Sequence, residues 1–125
     1  MKLFLVAPLF ALAACTSTQP TGASCPTANA PTYESFGKSF FGTYCTACHS
    51  ATSENRHGAP TNLNYDTEAE IRAVVDDIDA NAAAGPNGTN TFMPELIGDV
   101  KTAPTQAERE TLGQFLACEK SGASE

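Results

Sequence analysis

The sequence predicts a small all-α protein with three to four helices. Three stretches place apolar residues at helical spacing, and two of these stretches open with a Thr-x-x-Glu capping box, at Thr67 and at Thr105. The segments between them are rich in glycine, proline and asparagine, which favours loops. No strand-helix-strand alternation appears. After removal of an export signal, about 110 of the 125 residues remain, which suits one domain with one core.

The composition narrows the range of partners and compartments. The chain has 14 acidic and 7 basic side chains and a formal charge of −7, which argues against a nucleic-acid partner. Five cysteines in so small a chain favour an oxidising, exported setting.

The N-terminus reads as a signal peptide over residues 1–14. Lys2 precedes an apolar run over residues 3–14, which is too short to span a bilayer. The run ends in Leu-Ala-Ala-Cys at residues 12–15 and resembles the lipobox of bacterial lipoproteins. That resemblance implies that Cys15 is lipidated and becomes the first mature residue, so that the protein is tethered to the membrane. The alternative is ordinary cleavage that leaves Cys15 as a free thiol.

Residues 15–31 are predicted to form a lipidated, flexible linker. They are almost all small or polar, and such a composition buries little surface. The folded domain is predicted over residues 32–120, and residues 121–125 are predicted to form a disordered tail.

The first helix is predicted to begin after Thr32, which can serve as its N-cap. It leads directly into Cys45. Its apolar stripe consists of Tyr33, Phe36, Phe40, Phe41 and Tyr44.

Residues 45–49 read Cys-Thr-Ala-Cys-His, the attachment pattern for c-type haem. Two thiols one helical turn apart can each add to a haem vinyl group, and the adjacent imidazole of His49 can then ligate the iron. Three other interpretations compete: a thioredoxin-like redox pair, a zinc site and a structural disulfide between Cys45 and Cys48. The first lacks a βαβ context, the second lacks a complete ligand set, and the third gives His49 no role.

The residues before this pattern resemble those of class I cytochromes c. Gly37 lies eight residues before Cys45, and Phe41 lies four residues before it. The family has a glycine and an aromatic residue there, where the first and last helices cross. The resemblance covers about residues 32–119 and implies one haem c held in a small helical fold, with Phe115 in contact with the first helix.

Two further site residues are implied by the same resemblance. Met93, followed by a proline, stands where the family carries its distal methionine ligand, in a late loop before the last helix. Pro60 resembles the proline whose carbonyl accepts a hydrogen bond from the proximal imidazole, here His49. His57 is the rival for the sixth ligand position and is more simply a solvated loop histidine.

The rest of the chain is predicted to form two helices and a loop. A middle helix begins at Thr67, and a loop without periodicity covers residues 81–91. The last helix begins at Thr105 and runs to about Glu119. The apolar stripe of the middle helix consists of Ile71, Val74, Val75 and Ile78, and the inward side of the last helix of Leu112, Phe115 and Leu116. The acidic residues Asp76, Asp77 and Asp79 form either a solvated face or a docking patch for a basic partner.

Cys25 and Cys118 remain once Cys15 is lipidated and Cys45 and Cys48 are bound to haem. An even remainder in an oxidising compartment favours a disulfide, and the expected helix crossing near Phe115 allows one. The alternative is two unpaired thiols.

Together these features predict an electron carrier, not an enzyme. His/Met ligation closes both axial positions of the iron, which suits one-electron transfer between a redox donor and an acceptor protein and requires no small-molecule substrate. The expected location is the periplasmic side of a bacterial membrane, and Thr16 after Cys15 favours the outer membrane by analogy with other lipoproteins. The alternatives are a haem subunit of a larger respiratory or dehydrogenase complex, a gas-binding or peroxidase-like haem protein, and a thiol redox lipoprotein.

Overall fold

Four α-helices and one short hairpin make up the described part of the chain, residues 18–123 of a computed structural model. A π-helical turn, Tyr33–Gly37, runs directly into the first α-helix. The elements are α1 Lys38–Tyr44, α2 Glu68–Arg72, α3 Val75–Ala82, β1 Ala84–Gly85, β2 Gly88–Thr89 and α4 Gln106–Ser121. The predicted mostly helical fold is therefore confirmed. The predicted signal peptide and Cys15 lie outside the described residues.

The predicted helix starts are confirmed by their caps. The side chains of Thr32, Thr67 and Thr105 each accept a hydrogen bond from the backbone N–H three residues later. In each case the side chain at that third position bonds back to the cap, which completes a capping box. At the other end of α4, Gly122 adopts φ 71° and closes the helix. Ser121 therefore belongs to the helix and not to the predicted tail.

Gly37 is needed where the first and last helices cross. A Cβ atom at this position would lie 2.9 Å from Cζ of Phe115 and 3.1 Å from Cδ2 of Tyr33. The first and last helices approach each other so closely that only a residue without a side chain fits at position 37, as the sequence predicted. Phe115 itself is fully buried.

The predicted middle helix is split in two. Val74 adopts φ −134° and ψ 28°, outside the helical region, and separates α2 from α3. Val74 and Val75 are consecutive β-branched residues, a pair that resists a continuous helix. Ile71 and Ile78 are both buried on either side of the break. The predicted apolar residues therefore still face the core, although the helix axis changes direction at Val74.

The predicted loop over residues 81–91 contains an antiparallel hairpin. Ala84 pairs with Thr89 and Gly85 pairs with Gly88, which leaves Pro86 and the next residue as the turn. Two-residue strands show too little alternation to be recognised in a sequence. This hairpin is the one departure from the all-α prediction among the described residues.

Residues 19–25 form a packed N-terminal strap, so the prediction of a flexible coil is wrong for this part of residues 15–31. Thr21 is 1 % exposed. Its N–H and Oγ1 donate to the two carboxylate oxygens of Asp79, at 2.8 and 2.6 Å. A Cβ on Gly85 would lie 2.8 Å from the Thr21 carbonyl oxygen, so the strap lies directly on the hairpin. Hydrogen bonds to a charged acceptor order a segment that has little apolar surface to bury.

Cys25 and Cys118 pair as a disulfide in the structure. Their Cα atoms are 4.6 Å apart, within the range that a disulfide requires. The bond joins the end of the N-terminal strap to α4 across a sequence separation of 93 residues. This agrees with the predicted pair.

Within residues 18–123, no helix combines the length and apolar character needed to cross a membrane. The helices instead pack around one core. The large side chains with the least exposure in that core are Phe41, Ile71, Leu112, Phe115 and Leu116.

Candidate haem site

One cavity of about 350 Å³ is lined by Cys45, Cys48, His49, Pro60 and Met93 together. The five residues predicted from the sequence to bind the cofactor therefore meet at one place, although they are up to 48 positions apart. The volume falls within the usual range for small-molecule sites. Most of the remaining lining residues are apolar or aromatic, namely Tyr44, Ala59, Leu63, Tyr65, Ile78, Ala82, Phe92, Pro94, Ile97 and Val100.

The two thiols stand on a tight turn at the end of α1. The Cys45 N–H donates to the Phe41 carbonyl at 2.9 Å, and the His49 N–H donates to the Cys45 carbonyl at 2.8 Å. Neither Cys45 nor Cys48 is in a disulfide. Burial raises the pKa of the Cys45 thiol to about 12 and also raises the pKa of the Cys48 thiol. Thiol redox enzymes require the opposite shift, so this environment disfavours the thioredoxin-like interpretation.

His49 is 7 % exposed and is held on two sides. Its Nδ1 lies 3.1 Å from the Leu63 carbonyl oxygen, and its ring stacks on Tyr65 at a centroid distance of 4.7 Å. Burial lowers the pKa of His49, although the Leu63 carbonyl acts in the opposite direction. With the proton on Nδ1 and donated to Leu63, Nε2 keeps the lone pair that a metal ligand needs.

The predicted hydrogen bond from His49 to Pro60 is wrong. The acceptor is Leu63, three residues later. The Pro60 carbonyl instead accepts from the Arg56 guanidinium at 2.6 Å and from the Leu63 N–H at 3.1 Å. The Pro60 carbonyl is thus occupied within its own loop and does not bond to the imidazole.

Arg56 organises the loop that carries Leu63. Its guanidinium donates to the Leu63 carbonyl at 2.9 Å and to Asn64 Oδ1 at 2.9 Å, and it also contacts the Ser50 carbonyl. A loop without regular structure has carbonyls that need donors, and one arginine supplies several. This role of Arg56 was not predicted from the sequence, in which the one indication is an isolated arginine among residues that favour turns.

The Met93 peptide is fixed from both sides. Its N–H donates to the Asn81 carbonyl at 2.8 Å, and its carbonyl accepts from Nη1 of Arg109 at 2.9 Å. The same Nη1 donates to the Ala82 carbonyl at 2.6 Å and to the Asn90 carbonyl at 2.9 Å. Arg109 is 4 % exposed and forms no ion pair within residues 18–123. It therefore joins α4, the end of α3 and the methionine loop, a role that the sequence did not reveal.

His57 lies at the mouth of the cavity. It is exposed, as expected for a solvated loop histidine, and it adopts φ 50°. A Cβ on Gly98 would lie 2.6 Å from its Nε2, so the ring packs against the loop that follows Met93. The structure thus places this histidine in the cavity lining but on its outer side.

The three aspartates of α3 do not form one patch. Asp76 forms a salt bridge with Lys120 at 2.7 Å, and Asp79 binds the N-terminal strap through Thr21. Asp77 lines the cavity together with Glu95. Negative charge at this site therefore comes from the cavity lining and not from a continuous acidic face.

The residues present fit a covalently attached haem. Two reduced thiols, one buried imidazole with its Nδ1 occupied and one thioether line a single, mainly apolar cavity. Across residues 18–123, no group of three or more His, Cys, Asp and Glu side chains is placed to hold a metal ion, which is the kind of set that a zinc site requires. Comparisons of the chain with known protein families, with curated proteins and with solved structures find no match.

Proposed function

We propose that this protein is a one-electron carrier similar to class I cytochromes c, exported and tethered to a bacterial membrane by a lipid on Cys15. Haem c would be attached through Cys45 and Cys48, with His49 and Met93 as the iron ligands. The observation that carries the proposal is the single cavity lined by all four of these residues. A bound haem would supply reversible Fe(III)/Fe(II) exchange, which suits electron transfer without substrate chemistry.

The surrounding residues hold the two proposed ligands in place. Leu63 fixes the orientation of the His49 ring through Nδ1, and Arg56 fixes Leu63. Arg109 fixes the Met93 peptide at its carbonyl. Rigid ligands favour fast electron transfer because little reorganisation accompanies a change of oxidation state.

The electrostatics of the cavity favour a basic partner. Asp77 and Glu95 both line it, and Asp99 acts on Cys48 from nearby. A donor or acceptor protein with basic residues around its own redox centre would be attracted to this surface, and the attraction would weaken with added salt.

The decisive experiment is a visible spectrum of the exported, full-length protein in both oxidation states, with and without carbon monoxide. We expect a covalent low-spin haem that does not bind carbon monoxide. In Met93→Ala, haem attachment should persist, while carbon monoxide should bind and the reduction potential should fall, because the thioether ligand raises the potential.

Leu96→Ala provides a matched control, since Leu96 lies in the same loop, is 55 % exposed and is not in the cavity lining. It should behave as the wild type does. A wild-type protein that binds carbon monoxide would instead indicate a gas-binding or peroxidase-like protein. A protein without covalent haem would refute the proposal.

A further inference from the structure

Two segments of this acidic chain carry no charge at all. Residues 16–33 and residues 80–94 contain no Asp, Glu, Lys, Arg or His, whereas the whole chain has 14 acidic and 7 basic side chains. One segment follows the proposed lipidation site, and the other contains the hairpin and Met93.

The fold brings these two uncharged segments together. The Asn90 side chain donates to the Gln19 carbonyl at 2.7 Å and accepts from the Gln19 N–H at 3.4 Å. The Asn87 N–H donates to the Thr21 carbonyl at 2.9 Å, and its side chain donates to the Pro20 carbonyl at 3.3 Å. The strap thus pairs with the hairpin at the point where the chain enters the domain. We call Gln19, Pro20 and residues 86–91 the anchor face.

The chain between the anchor face and Cys15 is short. Gln19 lies four residues after Cys15, so a fully extended backbone spans at most about 14 Å between them. A domain of about 100 residues has a radius of gyration of about 13 Å and hence a diameter well above this length. The domain therefore cannot turn its anchor face away from a bilayer that holds the Cys15 lipid.

We propose that the anchor face lies against the phospholipid headgroups of the membrane that carries the lipid anchor. The inference rests on the proposed lipidation of Cys15 and adds an orientation to it. Anionic lipids give a bacterial membrane a negative surface, which repels acidic side chains. An uncharged face next to the tether is the one that an acidic domain can bring to such a surface without this repulsion.

The proposal also positions the cavity. Met93 lies two residues beyond Thr91, the last residue of the anchor face. Two residues span at most about 7 Å, so the methionine loop begins close to the end of the domain that faces the lipid. A redox partner in the same membrane would then approach the cavity from the side.

Two labels, one on the hairpin near the first residue of α4 and one on α2 near its last residue, test this orientation. Thr89 is exposed and bonds Gln106 at the first residue of α4. Ala69 is exposed on α2, whose Arg72 bonds Glu119 near the last residue of α4. Gln106 and Glu119 are 13 residues apart, or about 20 Å along a helix. Thr89→Cys and Ala69→Cys therefore report on opposite ends.

The experiment uses the full-length, haem-loaded and lipidated protein, in which the proposed state occupies all five native cysteines. Each variant is labelled with a fluorophore and incorporated into vesicles of phosphatidylethanolamine and phosphatidylglycerol, with or without nitroxide-bearing headgroups. For each label, the ratio of the fluorescence with nitroxide-bearing headgroups to the fluorescence without them cancels quenching by the haem. Pro86→Cys is a second reporter if Thr89→Cys does not fold.

We expect several-fold stronger headgroup quenching at residue 89 than at residue 69. Adding Thr91→Glu should reduce that quenching on anionic vesicles but not on phosphatidylcholine vesicles. Equal quenching at both labels in protein that floats with the vesicles would overturn the orientation and leave the lipid anchor intact. Protein that lacks the lipid mass and does not float would overturn the tether itself, and the orientation with it.

Discussion

Arg109 should determine whether the methionine loop stays closed. Replacement by methionine keeps much of the side-chain volume but removes the guanidinium that donates to three carbonyls, those of Ala82, Asn90 and Met93. Each buried carbonyl left without a donor costs about 1–3 kcal/mol. Two of these bonds are only partly buried, and water can replace them. We therefore expect Arg109→Met to lower the free energy of unfolding by about 3 kcal/mol.

The lysine variant separates the hydrogen bonds from the bulk of the side chain. All three bonds arise from one nitrogen, Nη1, which carries only two hydrogens, so one of them must be shared. A lysine ammonium has three hydrogens on one nitrogen and can serve three acceptors. We therefore expect Arg109→Lys to lower the free energy of unfolding by about 1 kcal/mol or less.

Urea unfolding of the haem-loaded protein, followed by circular dichroism, measures these differences. Carbon monoxide binding to the same samples reports whether Met93 still occupies the iron position proposed for it. Binding should increase for Arg109→Met but not for Arg109→Lys. Lys38→Met is the control, because its side chain is 66 % exposed and forms one surface ion pair. A loss for Arg109→Met no larger than that for Lys38→Met, with carbon monoxide still excluded, would refute the reasoning.

Four further predictions follow from local geometry. Gly37→Ala should lower the free energy of unfolding by about 1–2 kcal/mol, because overpacking at the helix crossing exceeds the gain in helix propensity, and a more stable variant would contradict this. Non-reducing mass spectrometry should find a linked Cys25–Cys118 peptide, whereas alkylation of both thiols without prior reduction would exclude the bond. Thr105→Ala should cost about 1 kcal/mol near neutral pH. The Thr105 hydrogen bonds lower the pKa of Glu108, so their contribution is present above the ordinary value of 4.5 and is lost as the pH falls through the lowered value. Thermal unfolding of Glu108→Gln should show a weaker dependence on acid, and an unchanged acid dependence would speak against this role.

The features that the sequence predicted correctly depend on residues that are close in sequence or on one close contact. Thr32 and Thr105 cap their helices through residues three positions away, so the signal is complete within one turn. Gly37 stood out because a glycine inside a helix needs a reason, and Phe115 supplies it. Cys45 follows the last residue of α1, as the apolar stripe before it predicted.

The features that were missed depend on partners that only the fold brings together. The composition of the strap indicates a coil, but Asp79 lies 58 residues away in sequence and orders it through Thr21. The sequence likewise gave no sign that Arg109 would meet three carbonyls from two other elements. The acceptor for His49 is Leu63 and not Pro60, because the fold directs the Arg56 guanidinium and the Leu63 N–H to the Pro60 carbonyl.

The disulfide and the strap also determine how the domain bears mechanical load. In the proposed tethered protein, tension between membrane and domain would enter at Gln19 and would act first on the hydrogen bonds of Gln19, Pro20 and Thr21 with Asn90, Asn87 and Asp79. It then reaches Cys25, where the covalent link diverts it to Cys118 in the last helix. The first helix, Cys45 and Cys48 follow that link in sequence, so the covalent path to the last helix bypasses them. If the protein is tethered and carries haem as proposed, the membrane would pull the domain through its last helix and not through the segment that holds the haem.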